Sequence, residues 1–159
     1  MNANNEVVIE QLVAMITQGN AHVTFDQAVE NIPFEKTGIK TNNLPYSLWQ
    51  LVEHIRITQE DILRFSTDPD YTAPVWPDDY WPPENAPASK GEWQNALQQI
   101  KKDRDEFIRL LTDENTDLYA PFAHGQGQNL LREALLIADH SSYHTGQAIL
   151  LRRLLNDWK

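Results

Sequence analysis

The chain has 159 residues, no cysteine, and 23 acidic against 13 basic side chains, which gives a net charge of −10. The length fits a single domain over residues 1–159, and the negative charge disfavours nucleic acids and anionic membrane surfaces as partners. Without cysteine the chain can form no disulfide, thiolate metal site or cysteine nucleophile. The N-terminus lacks the pattern of a signal peptide, and no apolar run reaches membrane-spanning length. The sequence therefore predicts a cytoplasmic protein.

Two helices are predicted in the first half of the chain. Apolar residues recur at helical spacing over about residues 5–31, and His22 falls on the inner stripe of this first helix. The second helix begins at Ser47, which forms a capping-box pattern with the glutamine three residues later, and it continues to about residue 65. His54 lies in the apolar stripe of this helix.

Two further helices are predicted in the second half. One begins at Ser89, again with capping-box spacing, and continues to about Leu111 with one charged face. The other covers about residues 129–156 and closes with arginines, which the helix dipole favours at a C-terminus. No stretch alternates in the way of a sustained strand. The predicted fold class is all-α, as a four-helix bundle.

The connection between the second and third predicted helices is unusually long. Residues 66–88 contain six prolines and four tyrosine or tryptophan side chains. Loops of this length in compact domains are typically functional or serve as packed covers. The sequence leaves two interpretations open: the aromatic side chains plug the end of the bundle, or the loop forms a lid over a ligand pocket.

The last predicted helix carries His140 and His144, which are four residues apart. Residues at this spacing share one face of a helix, with Cβ atoms about 6 Å apart, so both imidazoles can reach one metal ion. Because cysteine is absent, a divalent transition metal would be held by nitrogen and oxygen ligands. A zinc-peptidase signature would require glutamate directly after the first histidine. Ser141 occupies that position, which excludes a zinc peptidase.

Taken together, these motifs resemble the DinB-like superfamily, and in particular its YfiT-type branch of small metal-dependent four-helix bundles. The resemblance extends over nearly the whole chain, and its matching stretches are residues 19–22, 44–54, 80–82, 124–128 and 138–147. It implies three metal ligands, His54, His140 and His144, with zinc or nickel as the main candidates and iron as another. Some relatives use the metal to activate a low-molecular-weight thiol, and relatives are often dimeric. A small-molecule substrate, such as a thiol, and a homodimer are therefore expected.

Three further residues are candidates for contacts around the metal ligands. Gln147 lies three residues after His144 on the same helix face, where its amide can orient a ligand or a water. His22 and His124 can either reach the same cavity or make ordinary hydrogen bonds, in the core and in a loop respectively. Each acidic residue that precedes a ligand, such as Asp139, is turned about 100° away from it. No catalytic base is therefore predicted.

Two classes of function fit the sequence. Three neutral imidazoles leave one position of a tetrahedral metal ion for water or a thiol, as in catalytic sites. The first class is accordingly a metal-dependent enzyme, a hydrolase or a thiol transferase, that acts on a small molecule. The second is a non-catalytic metal- or small-molecule-binding bundle, in which the histidines staple two helices together.

Overall fold

The computed structural model of the protein describes residues 3–41 and 44–158, and these residues form five α-helices and no β-strand. The helices are α1 (Ala3–Thr17), α2 (Phe25–Val29), α3 (Leu48–Thr67), α4 (Lys90–Thr112) and α5 (Leu130–Leu154). The four long helices pack as a bundle in which α1 and α3 each contact both α4 and α5. The predicted all-α bundle is confirmed. The outermost residues of the predicted domain, Met1 and Lys159, lie outside the described residues.

The prediction of one continuous helix over residues 5–31 is wrong. Helix α1 ends at Thr17, and α2 begins only at Phe25. The chain turns back sharply between them. The turn is so tight that a Cβ atom built on Gly19 would lie 2.2 Å from the carbonyl oxygen of His22. Only glycine tolerates so close a backbone approach. His22 therefore lies in a turn and not on the inner stripe of a helix.

Side-chain caps explain where three of the helices begin. The Thr24 hydroxyl accepts a hydrogen bond from the Gln27 backbone N–H, and the Gln27 side chain accepts one from the Thr24 N–H, so α2 starts with a capping box. Ser47 forms the predicted capping box at the start of α3. Ser89 caps α4 with its hydroxyl, but the Glu92 carboxylate bonds the backbone N–H of the residue before Ser89.

The other helix predictions agree with the structure to within about two residues. The predicted helices over residues 47–65, 89–111 and 129–156 correspond to α3, α4 and α5. None of the helices in the described ranges is both long enough and apolar enough to cross a membrane. The long connection predicted at residues 66–88 is also present, between α3 and α4.

The interior of the bundle consists of two apolar clusters with polar residues between them. Along α3 the first cluster ends at Ile55 and the second begins at Ile62, whereas along α5 the second cluster ends at Ile137 and the first resumes at Ala148. Buried polar side chains lie next to or between these cluster boundaries on α3, α4 and α5, and we call them the polar layer. They are His54, Thr58, Gln59, Asp103, His144 and Thr145.

Residues 80–85 of the long loop form a strap that lies antiparallel along the first half of α3. Three strap carbonyl oxygens accept hydrogen bonds from side chains at the start and on the inner face of α3. These are Asn85 O from Ser47 Oγ at 2.6 Å, Pro82 O from Gln50 Nε2 at 3.0 Å, and Tyr80 O from His54 Nδ1 at 2.9 Å. The strap is thus a packed cover on the side of α3.

Removing the Ser47 hydroxyl tests whether the strap contributes to stability. Ser47 is fully buried and both caps α3 and donates to the strap, whereas the exposed Ser89 only caps α4. We expect Ser47→Ala to lower the free energy of unfolding by about 2 kcal/mol and Ser89→Ala by about 1 kcal/mol. Urea denaturation followed by circular dichroism measures both values. Equal losses would mean that the bond to the strap adds no stability.

Candidate metal centre

The structure brings His54, His140 and His144 together, as the resemblance implied. His54 comes from α3 and the other two come from successive turns of α5, so two helices supply the group. One nitrogen from each ring lies within 4.8 Å of the others. The Nε2 atoms of His54 and His140 are 3.1 Å apart. Two nitrogens bound to one tetrahedral zinc at 2.0–2.1 Å would be about 3.3 Å apart, so this spacing fits a shared metal ion.

Hydrogen bonds to protein acceptors hold the Nδ1 atoms of His54 and His144, whereas the Nε2 atoms of His54 and His140 lie within hydrogen-bond distance of each other. His54 Nδ1–H donates to the Tyr80 carbonyl oxygen at 2.9 Å, and His144 Nδ1–H donates to Gln147 Oε1 at 2.6 Å. A neutral imidazole that carries its proton on Nδ1 keeps a lone pair on Nε2. Metal-binding histidines commonly donate their other N–H to a carbonyl or carboxylate in this way. Gln147 thus contacts His144 directly, and its role in orienting a metal ligand stays a prediction.

The environment also keeps the three rings in the neutral form that binds metals. Burial, together with the nearby His144 and His54, lowers the pKa of His140 to about 3. Burial lowers the pKa of His144 to about 4, partly opposed by its bond to Gln147. The pKa of His54 is lowered by burial, against the effect of its bond to the Tyr80 carbonyl. At neutral pH none of the rings needs to lose a proton before it binds a cation.

Aromatic side chains surround the histidines unevenly. The Trp81 ring of the strap stacks on His54 with a centroid distance of 4.0 Å and an interplanar angle of 4°, which covers one face of that ring. On the other side, the Tyr143 ring meets the edge of His144 at 4.9 Å, and Tyr143 is 64% exposed. The site is therefore closed by the strap on the α3 side and borders solvent on the α5 side.

His22 lies apart from the three ligand candidates. It is exposed, its Nδ1–H donates to the Val23 carbonyl oxygen at 2.7 Å, and its Nε2 lies 2.9 Å from Ser142 Oγ. Because Ser142 is two residues beyond His140 on α5, it points about 160° away from that ligand. His22 instead lines a separate cavity of about 40 Å³, together with Gln59.

His124 also lies apart from the centre. Its Nε2–H donates to the Phe65 carbonyl oxygen at 2.8 Å, near the C-terminal end of α3. The ring stacks on Phe122 with centroids 5.6 Å apart. For His124 the sequence left open a contact in the cavity or a hydrogen bond in a loop, and the structure shows the hydrogen bond. This bond pairs a backbone carbonyl in the last turn of α3, where the helix itself provides no donor.

Carboxylates take no part in the candidate centre. Within residues 3–41 and 44–158, the only group of side chains able to hold a metal is the three histidines. Glu53 forms an ion pair with Arg56 at 2.9 Å, and Asp139 is exposed. That neither acidic neighbour acts as a base stays a prediction.

Sequence reasoning missed the contacts that the strap makes with His54. Residues 80–82 were recognised only as part of the family resemblance, and no role was predicted for Tyr80 or Trp81. A backbone carbonyl carries no sequence signature, so the Tyr80 acceptor could not be found from composition or spacing. The bond from the Tyr80 hydroxyl to Asp61 Oδ2 was missed as well, although Asp61 lies seven residues after His54 and therefore on the same face of α3.

The fold and the site define a class of helical bundles with a buried three-histidine group of the type that holds a transition metal. A family model for the DinB superfamily matches residues 20–148, which is most of the chain and includes all three histidines. The protein belongs to the DinB superfamily, as the sequence motifs predicted. No curated protein matches the chain.

The lowered histidine pKa values predict how stability depends on pH when metal is removed. Unfolded histidine has a pKa of about 6.5, and the folded values are lower, so the unfolded state binds more protons in acid. The stability contributed by the neutral rings is complete above pH ~6.5 and is lost as the pH falls toward the folded values of about 3 to 4. In the presence of a chelator, the urea concentration at the unfolding midpoint should therefore be lower at pH 5 than at pH 7.

Two variants locate the origin of this pH dependence. His140→Gln should show a shallower decline than wild type, because it lacks the ring whose pKa is lowered most. His124→Gln changes an exposed loop histidine and should keep the wild-type slope. Identical slopes for wild type and His140→Gln would contradict the assignment.

Proposed function

We propose that this protein binds one divalent transition metal through His54, His140 and His144 and uses it to activate a small molecule. The observation that carries the proposal is the convergence of three imidazoles, which place one nitrogen each within 4.8 Å of the others while protein acceptors hold the Nδ1 atoms of His54 and His144. Zinc and nickel suit this all-nitrogen donor set, and iron is a further candidate.

The chemistry follows from the number and type of the donors. A bound divalent metal supplies a Lewis acid that lowers the pKa of a water or a thiol. The protein contributes neutral ligands, the Tyr80 carbonyl and Gln147 that orient two of them, and the Trp81 ring that keeps water from one face of His54. A water or a low-molecular-weight thiol would approach from the exposed side, where Tyr143 lies. We propose a hydrolase or a thiol transferase.

A second candidate is a protein in which the metal only strengthens the fold. It is favoured by the position of the histidines, since they join α3 to α5 between the two apolar clusters. A structural site, however, is normally closed by four protein ligands. In the described ranges the group offers three ligands, which favours the enzyme.

Metal content tests the first part of the proposal. Untagged wild-type protein should contain close to one metal ion per chain by elemental mass spectrometry, and His54→Ala and His144→Ala should contain almost none, because two imidazoles alone hold a divalent ion weakly. His124→Ala is the matched control and should retain the wild-type content. Metal-free wild type, or variants that keep their metal, would contradict the three-histidine site.

Cobalt substitution tests whether small molecules reach the metal. Cobalt(II) replaces zinc and has visible absorption that reports its ligands. Addition of a low-molecular-weight thiol should produce sulfur-to-cobalt charge-transfer absorption with saturable dependence on thiol concentration. A spectrum unchanged by the thiol and by azide would indicate a closed coordination sphere, which is the outcome expected of a structural site. His144→Ala loaded with cobalt is the control for adventitious binding.

A further inference from the structure

Tyr80 contacts α3 at two separate places, and one of them is the metal ligand candidate His54. Its carbonyl oxygen accepts from His54 Nδ1–H at 2.9 Å, while its hydroxyl donates to Asp61 Oδ2 at 2.7 Å. We infer that Asp61 is a positioning residue for His54 that acts through Tyr80. This inference rests on the proposed metal site, and it assigns a role to a carboxylate outside the three-histidine group.

The helix geometry explains how one residue of the strap reaches both partners. Asp61 follows His54 by seven residues, which is nearly two full turns, so both side chains leave α3 on the same side and are about 10 Å apart along the axis. Tyr80 bridges this interval with its backbone at one end and its phenol at the other. The Asp61 bond therefore determines where the Tyr80 carbonyl lies relative to the imidazole.

The contact between Tyr80 and Asp61 has the features of a strong hydrogen bond. Tyr80 is buried, with 6% of its surface exposed, and the Trp76 ring packs against it at 5.2 Å. Burial, together with the Asp61 hydrogen bond, raises the pKa of the Tyr80 phenol, so it remains a donor. Bonds from a hydroxyl to a carboxylate are shorter and stronger than bonds between neutral groups.

The strap has other attachments, but they hold a different part of it. Ser47 and Gln50 bind the carbonyls of Asn85 and Pro82 near the start of α3. Next to the histidines, the strap is held by the two bonds of Tyr80 and by Trp81, which stacks on His54. Loss of the Asp61 bond should thus loosen the strap beside the metal site and leave its far end attached.

The expected consequence is a change in the metal ligand itself. With the Tyr80 carbonyl in place, His54 keeps its proton on Nδ1 and presents Nε2 to the metal. When the Tyr80 carbonyl is no longer fixed, the His54 ring can adopt the other tautomer and rotate. Metal binding must then restore the orientation of the ring, which lowers the affinity. Groups that hydrogen-bond to a metal ligand without touching the metal typically contribute 10- to 100-fold to metal affinity.

Zinc affinity, measured by competition with a chromogenic chelator, tests the inference. Tyr80→Phe keeps the ring and the carbonyl but removes the donor, and it should weaken zinc binding about tenfold. Asp61→Leu should have a similar effect, and the double variant should lose little more than either single one, because both remove the same bond. Asp61→Asn retains an oxygen acceptor and should bind close to wild type. Tyr119→Phe, outside the strap, is the control.

The tautomer of His54 provides a readout that needs no metal. In nitrogen-15 spectra of the metal-free protein, wild-type His54 should show a protonated Nδ1, whereas Tyr80→Phe and Asp61→Leu should show averaging between the two tautomers. A change in global stability alone would not alter this tautomer signature.

The inference is overturned if both variants keep wild-type zinc affinity and a fixed tautomer, or if Asp61→Asn binds zinc as weakly as Asp61→Leu. If wild type bound no zinc, the proposed function would fail, and the tautomer measurement would still decide the role of Asp61.

Discussion

Imidazole nitrogens placed inside a helical bundle must each find a partner, and this requirement organises the centre of the protein. An unpaired polar group in an apolar interior costs several kcal/mol, so the neighbouring chain supplies acceptors. The Tyr80 carbonyl accepts a hydrogen bond from His54, and the Gln147 side-chain oxygen accepts one from His144. The nitrogens that remain, on the inner side of the rings, converge on one point. Three neutral rings with nitrogens within 4.8 Å of one another supply the lone pairs that a transition metal binds, which is the physical argument for a metal.

The candidate metal centre lies in the polar layer, between the two apolar clusters of the bundle. Apolar packing above and below it holds α3 and α5 at a fixed separation, so His54 reaches the two histidines of α5 without a flexible linker. Pre-positioned ligands lose little conformational freedom when they bind a metal. The long loop adds to this effect, because its strap fixes the His54 ring from outside the bundle. A segment that composition alone describes as proline-rich and irregular thereby takes part in the geometry of the site.

Much of the fold and two of the three ligands could be predicted from local spacing in the sequence, whereas His54 was assigned as a ligand through the resemblance to the DinB-like superfamily. The period of apolar residues located α3, α4 and α5, and the four-residue step placed His140 and His144 on one face. His22 was misplaced, because helical periodicity continued across Gly19 although the chain reverses there. Partners that lie far apart in sequence could not be found in this way. The bond from His54 to the Tyr80 backbone and the approach of Asp61 to the same residue depend on how the loop folds back onto α3.

The central claim is that one metal ion is held by these three imidazoles, and a crystal of the untagged protein grown with zinc tests it most directly. Anomalous scattering measured on both sides of the zinc absorption edge locates the metal without assumptions about its ligands. The account predicts one strong peak per chain, at about 2.0–2.1 Å from the Nε2 atoms of His54, His140 and His144. A peak elsewhere, or no peak at full zinc concentration, would contradict the account.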